Sequence, residues 1–570
     1  MKPTNVPSLV LCVVAVLALT GPAQADPPYW HRTVVDAGVP GVGEWCSLAF
    51  DPNGDPAIAY LDANSLMLAR FDSNDPNHPD GVWHKSVVVV DPNIPENDLH
   101  GLGGLSLAFQ SNGYPAIAHP MGQLTFGGCE WYFRWQDAAG WHYKRLNQEL
   151  LEPIGWGLLA ATSMERVRLC FAQGRAWVVF DVFALLLTAT LCAAPDVPGD
   201  PGGLWSLGVV TMEAGWGING PYASLAIDGN GWPSCSYIHL SDDEDEQWVS
   251  YAWHEPWVPL DPCSDWPFEE VADPCKWGPG YWGTPTSLAF DANGVPGIAF
   301  FPTHMDPLSR IWYAWKDPGE WWDYGVAYSI PTGMLPTERE AILAYRFDSN
   351  PGISFRAWVE DGGDAIWPLL YMWLDPNDPN DPVDPKFPCD GVWQVREVDA
   401  RKVFGHADKG EYHSHAIDPN GLPAIAYYDT TFDCLRYAVT ADQPDTYTLT
   451  TWNEGQGHGT WGSIEIDPNL ERYPEGTVVT LTGIPSDGKR FAAWVIYDPR
   501  YPGDANYARQ DSNNPLHLLI EYDREVGAAF ACASGNPLLG AMVGGVCATL
   551  ITVKVSRTRR RRSRNEASRR

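Results

Sequence analysis

The phrase SLAFDPNGDPAIAY at 47–60 constrains this chain more than any other feature, because it returns. It recurs as SLAFQSNGYPAIA at 106–118, SLAIDGNGWPSCSY at 224–237, SLAFDANGVPGIAF at 287–300 and SHAIDPNGLPAIAY at 414–427. Successive leading serines stand 59, 118, 63 and 127 residues apart. The second and fourth intervals are near double the others, so each should conceal one worn copy. Two segments qualify: VRLCFAQGRAWVVFD at 167–181 and ILAYRFDSNPGISF at 342–355. Seven units of roughly 60 residues result.

Each unit reads as strands. Short apolar segments flank an Asp/Asn/Gly turn, as a tight hairpin requires. A third strand follows (66–71, 311–315 and 435–439), and a fourth opens with tryptophan and tends to end in Val-Asp, as in WHKSVVVVD at 83–91 and WQVREVD at 393–399. Four short antiparallel strands repeated at this period make a β-propeller blade. The last unit leaves the pattern near residue 441 without its tryptophan-led strand, and such a strand stands unattached at 30–36, WHRTVVD. Donating it to the last unit would close the ring and remove its open edges. The expectation is an all-β chain: a seven-bladed β-propeller over 26–445, closed by its N-terminal strand.

The serine-led phrase resembles the S-L-A-x-D-x-x-G-x-P-x-I-A-Y blade motif of secreted bacterial propellers, over about residues 30–442. That resemblance implies a fold and no activity. After Asp445 the grammar changes. Tyr473, Pro474, Gly476, Pro485, Gly488, Phe491 and Trp494 match the pattern of the divergent internalin-type B-repeat, also called the bacterial repeat domain, over 446–532. This second resemblance implies a small β-rich extracellular module, commonly a spacer, in which the matching residues are structural.

Both ends read as addresses. Lys2, the apolar run from Leu9 to Leu19 and Ala23-Gln24-Ala25 form a secretory signal over 1–25. Residues 537–553 are uncharged and precede Lys554 and the run Arg559–Arg562. Such a segment is near the lower length limit for a transmembrane helix, with the basic cluster on the cytoplasmic side. A short apolar tail ending in arginines resembles the C-terminal sorting signals of surface-attached bacterial proteins. That resemblance makes Cys532 and Gly535 the candidate processing positions within Cys532-Ala533-Ser534-Gly535. A plain single-pass anchor over 533–570 is the alternative. Either way the body is expected at the cell envelope or cell surface.

Export places the cysteines in an oxidising compartment. No CxxC pair occurs, so a zinc site of that kind is disfavoured. Cys263 and Cys275, which bracket a Pro/Trp-rich loop, are the expected local disulfide, with Cys170 and Cys192 a second candidate pair. The chain carries a net charge of −34; residues 554–570 hold nine basic side chains and one acidic, and Lys2 is the only charge in 1–25, so the body between is −43. A body that acidic excludes nucleic acid bound through phosphate neutralisation and opposes anionic surfaces.

No nucleophile elbow, zincin motif or phosphate loop is present. A sialidase would need S-x-D-x-G-x-x-W turns and an arginine cluster; here Asp follows Ser by four residues. Asp51, Asp228, Asp291 and Asp418 invite a calcium reading, against which stands their place in hairpin turns beside Gly54, Gly231, Gly294 and Gly421. The tract DPNDPNDPVDP at 375–385 allows at most weak calcium binding, and no cofactor or fixed metal site is expected. The turns between second and third strands share one propeller face with the connections between units. They supply the candidate ligand-binding residues Asp62, His119, Asp181, His239, His304 and Asp429, joined by His413 and His415 from the connection before the last unit. Of the 28 tryptophans, Trp30, Trp83, Trp141, Trp205, Trp322 and Trp393 recur at one blade position and read as packing. The resulting expectation is a monomeric, exported protein that binds an extracellular glycan, protein or envelope component without catalysis. The competing class is a carbohydrate-active lyase or hydrolase with acid/base groups at the propeller mouth.

Overall fold

The computed structural model describes the chain from Tyr29 to Cys532, apart from connecting stretches that include 91–103, 122–129, 151–166, 215–222, 241–246, 255–265, 273–284, 302–309, 330–334, 375–392, 403–406, 455–460 and 499–507. Both terminal addresses, the acidic tract at 375–385, His304, Gly535 and the Cys263–Cys275 pair lie outside the described residues. No helix among the described residues is long and apolar enough to cross a membrane.

The architecture is all-β, and residues 29–441 form a β-propeller. Its units begin with the strands Glu44–Phe50, Ser106–Phe109, Val167–Ala172, Ser224–Ile227, Thr286–Phe290, Leu335–Tyr345 and Ala407–Ile417, and each continues as a four-stranded antiparallel meander. The sixth and seventh are joined through Asp364–Trp367, which pairs in parallel with the start of Ala407–Ile417. The outermost strand of the seventh meander is Tyr29–Ala37, paired antiparallel with Cys434–Ala441 from Tyr29 opposite Ala441 to Ala37 opposite Cys434.

The repeated phrase is a set of devices that join one unit to the next. The hydroxyl of each leading serine accepts the main-chain N–H of a leucine in the following unit. Leu107 N–H donates to Ser47, Leu169 to Ser106, Leu288 to Ser224, Leu343 to Ser287 and Leu48 to Ser414, at 2.9–3.0 Å. An innermost strand has one unpaired edge, and this bond satisfies a donor that the meander itself leaves open. The last of the five joins the seventh unit to the first.

The phrase's terminal tyrosine and the Val-Asp of the fourth strand are partners across another seam. Tyr60 donates to Asp36 and Tyr427 to Asp399, at 2.6 and 2.7 Å, all four residues being buried. The recurring tryptophans form the outer layer. Trp30 packs on Tyr371, Trp83 on Tyr437, Trp205 on Phe133, Trp322 on Tyr251 and Trp393 on Tyr313, each ring pair reaching from one unit to the preceding one with centroids 5.0–5.6 Å apart. Tilted and edge-on pairs of this kind add about 0.5–1.5 kcal/mol beyond area burial.

The Asp-x-Asn-Gly turns are Asx turns. Oδ1 of Asp228 accepts from Asn230 and Trp232, that of Asp291 from Asn293 and Val295, and that of Asp418 from Asn420 and Leu422. Gly294, at φ +80°, lies against Gly229 of the preceding turn, where a Cβ would meet backbone at 3.4 Å. The carboxylates are thus spent on local main chain.

The remaining strands build a two-stranded pair, Thr446–Tyr447 with Tyr473–Pro474, and two larger sheets, one ordered Leu449–Glu454, Arg524–Cys532, Lys489–Ile496, Arg509–Asp511 and the other Gly462–Asp467, Thr477–Pro485, Leu516–Ile520. The two larger sheets share a core of Val479, Leu481, Trp494, Leu518, Ile520 and Phe530, joined by Tyr473 of the pair. Gly476 and Gly488 have positive φ, so the motif residues occupy turns and core.

Ser414→Ala removes the acceptor that joins the last unit to the first and leaves the Leu48 N–H unpaired. It should lower stability by about 1–3 kcal/mol in urea unfolding. Ser206→Ala, which removes an exposed hydroxyl bonded to Asp196, should cost less than about 1 kcal/mol and serves as the comparison.

Candidate functional site: the central channel

The seven innermost strands surround a cavity of about 290 Å³. A ring of identical units would line it identically; two features break that symmetry. The first is a pair of bulges. Between Glu44 and Ser47, and again between Glu411 and Ser414, the pairing register slips, and Trp45 and Tyr412 take φ of 50° and 53°. Bulky residues avoid this left-handed region unless their surroundings hold them there. Both line the channel, their ring centroids 4.0 Å apart. The Cys46 thiol donates to Tyr412 O, and burial pushes its pKa up far beyond the ordinary thiol range.

The second feature comes from the two worn units. Where the others carry serine, the third carries Arg168 and the sixth Ile342; two places before Ile342 stands Glu340, at the position of Trp45 and Tyr412. Arg168 Nη2 and Glu340 Oε1 face each other at 3.8 Å. Glu340 is the single carboxylate lining the channel among the described residues, and Arg168 the single guanidinium.

His413 and His415 also line it. Burial lowers the pKa of both, that of His415 to about 4, so the rings are neutral. Each therefore donates from Nδ1 to a carbonyl: His413 to Gly410 O at 3.1 Å and His415 to Ile342 O at 3.2 Å.

The structure does not gather the other predicted residues into one mouth. His119 and Asp181 are buried inside strands rather than exposed in turns. His119 Nδ1 donates to Pro120 O while Nε2 accepts from Arg134, and burial, with Arg134 beside it, lowers its pKa to about 3. Asp181 accepts from Thr190 and from the main chain of Ala223. His239 lies between the rings of Trp248 and Phe268. Asp62 sits part-exposed at a strand end; burial, then Asp36, raises its pKa, against the pull of Lys85.

Asp429 is a correction to the expected open mouth. It is fully buried, ion-paired with Lys409 and Arg436, and both cations lie over the Phe432 ring. Phe432 in turn meets Tyr522 of the C-terminal sheets, whose hydroxyl donates to Lys402 O. The face on which a ligand was expected is covered at the seventh unit by the chain's own following segment. Cys170 and Cys192 are free thiols, so the second candidate disulfide does not form; Cys532 is free and exposed.

No protein-family model matches the chain, and no curated protein sequence does. Among solved structures it is similar to a protein of unknown function from Dyadobacter fermentans (TM-score 0.36, 10% identity, 72% of this chain and 99% of that one). It is also similar to an α-L-arabinanase from Penicillium chrysogenum (0.33, 11%, 57% and 94%) and to the polysaccharide lyase Uly1 (0.40, 8%, 75% and 94%). The propeller assignment rests on the strand pairing above.

The neutral buried imidazoles set a pH dependence. Their folded pKa values lie below the unfolded value of about 6.5, so the unfolded chain binds more protons between these limits. Stability contributed by His119 is complete above about pH 6.5 and is lost as pH falls toward 3, at up to about 1.4 kcal/mol per pH unit. His119→Gln, which keeps an acceptor for Arg134, should flatten the decline between pH 6.5 and 4.5 in urea unfolding by about that slope.

Proposed function

We propose that this protein is an exported binding module, a seven-bladed propeller closed by Tyr29–Ala37, carried on a repeat-domain spacer over 446–532 and held at the cell surface through 533–570. Its work is non-catalytic recognition of a neutral, hydroxyl-rich ligand, such as the end of a glycan, in the channel. The observation that carries this is the channel's lining, which holds both the Trp45–Tyr412 aromatic pair and one Arg168–Glu340 pair. Aromatic faces suit the apolar face of a sugar ring, and the polar rim suits its hydroxyls. The two charges cancel and the imidazoles are neutral, so the site favours a ligand without net charge. The volume is at the lower end of the roughly 300–1,000 Å³ typical of small-molecule sites, enough for a ligand of one or two rings.

Hydrolysis by paired carboxylates would need a second acid or base within reach of the first. Glu340 is the single carboxylate lining the channel among the described residues, with the neutral rings of His413 and His415 in the same lining, and Asp62 and Asp429 lie elsewhere. The test is a screen of neutral and anionic glycans against the full chain, run beside hydrolysis and elimination assays. Neutral glycans should be retained without product release, and Glu340→Gln or Arg168→Met should weaken retention at least tenfold. Turnover that vanishes in Glu340→Gln would falsify the binding reading and establish an enzyme.

A further inference from the structure

The hairpin joining the third and fourth strands of the first unit carries a group of side chains with a different chemistry. Asp72 ends the strand Ser65–Asp72, and His84 lies in the strand Val82–Val90. Arg70 is opposite His84 and Asp72 opposite Val82, so Asp72 and His84 are diagonal neighbours on one face. Asp75 and His78 come from the turn between them.

That turn is held by its own main chain. Asn74 N–H donates to Asp72 Oδ1, His78 N–H to Asp75 O and Gly81 N–H to His78 O. Gly81 has φ +79°, and a Cβ there would strike the Phe71 ring. Asp72 therefore spends one oxygen on the turn and presents the other, Oδ2, to His84.

The distances decide between a salt bridge and a ligand set. His84 Nε2 stands 3.9 Å from Asp72 Oδ2 and 3.7 Å from Asp75 Oδ2, and His78 Nδ1 stands 3.5 Å from the same Asp75 oxygen. The His84 separations exceed hydrogen-bond length. In the matching hairpin of the second unit, His142 and Asp137 close to 2.9 Å, as a direct pair does. Here three ligand atoms, from Asp72, Asp75 and His84, all lie within 4.8 Å of one another. Tetrahedral ligands at about 2.0–2.1 Å from a zinc ion stand about 3.3 Å apart. The two His84 separations, 3.7 and 3.9 Å, exceed that by a few tenths of an ångström.

We propose that Asp72, Asp75 and His84 form a binding site for a divalent transition metal of the zinc class, with water completing the coordination. Mixed imidazole and carboxylate donors suit zinc, nickel or copper, whereas calcium takes oxygen donors only. Two carboxylates neutralise the dication, and the −43 body attracts it. The proposal is independent of the channel.

Zinc chloride is titrated calorimetrically into the full chain after chelator dialysis, with cobalt substitution read by visible absorbance. One equivalent should bind at this hairpin, with a tetrahedral cobalt spectrum, and a hundredfold excess of calcium should not displace it. His84→Ala and Asp75→Asn should each weaken binding at least tenfold, while His142→Ala leaves it unchanged. His84 is largely exposed, so its loss should leave the circular dichroism spectrum unaltered. Absent binding, equal affinity in the His84 and Asp75 variants, or displacement by calcium would each overturn the assignment.

Discussion

The serine hydroxyl at the head of each phrase is the contact on which this molecule depends. A four-stranded meander has two bare edges, and the inner one borders the channel with no fifth strand to pair it. Five serines convert that edge into a joint by accepting one N–H from the next unit at 2.9–3.0 Å. Since the acceptor belongs to one unit and the donor to the next, the bond has a direction, and repetition of a directed joint around an axis produces a ring. The Tyr–Asp bonds and the outer tryptophans also cross seams between units: all three kinds meet between the seventh unit and the first, and the sixth–seventh seam, which has no serine bond, carries Tyr427 on Asp399 and Trp30 on Tyr371.

The strand Tyr29–Ala37 is held twice. Along its length it pairs with Cys434–Ala441, and Trp30 fills the seam against Tyr371. Beyond that, His31 Nδ1 bonds Asp445, and Arg32 reaches Asp445, Glu475 and the Val398 carbonyl. Arg401, paired with buried Asp399, donates to Tyr447. Burial would raise the Asp399 pKa, but Arg401, Lys409 and Arg32 hold it well below the carboxylate range. Breaking such a pair from one side leaves an uncompensated buried charge, which costs about 3–5 kcal/mol. The ring's seam and the seat of the C-terminal sheets are therefore one electrostatic unit.

How much of this was legible follows from what repeats. The hairpins, the turn aspartates and the packing tryptophans each appear several times, and the displaced strand stood out as a copy of the recurring tryptophan-led fourth strand. The channel was not legible. Trp45, Tyr412 and Glu340 occupy one position of the unit, yet they share no chemistry, and the bulges that turn Trp45 and Tyr412 inward are a matter of register. Asp181, His119 and Asp429 misled for the opposite reason: polar residues near strand ends suggested an exposed mouth, but each finds its partner on another strand. The Asp72–His84 group was hidden because cross-strand register, not a sequence motif, brings it together.

Under the proposed binding role, that contrast places the channel's charged pair in the worn copies. A residue present in every unit can only produce a symmetric ring of groups, and a ligand with distinct ends needs an asymmetric site. The leading serine is absent from the third and sixth units, where the inter-unit joint it would make has no counterpart among the five serine bonds. Those are the units that put Arg168 and Glu340 into the channel. Each forgoes a net gain of about 0.5–1.5 kcal/mol from a neutral hydrogen bond. The sixth–seventh seam is held instead by Tyr427 on Asp399 and Trp30 on Tyr371, and the third–fourth seam by the Ala223 N–H donating to buried Asp181. Stability supplied redundantly by the faithful copies is what frees two positions to carry charge.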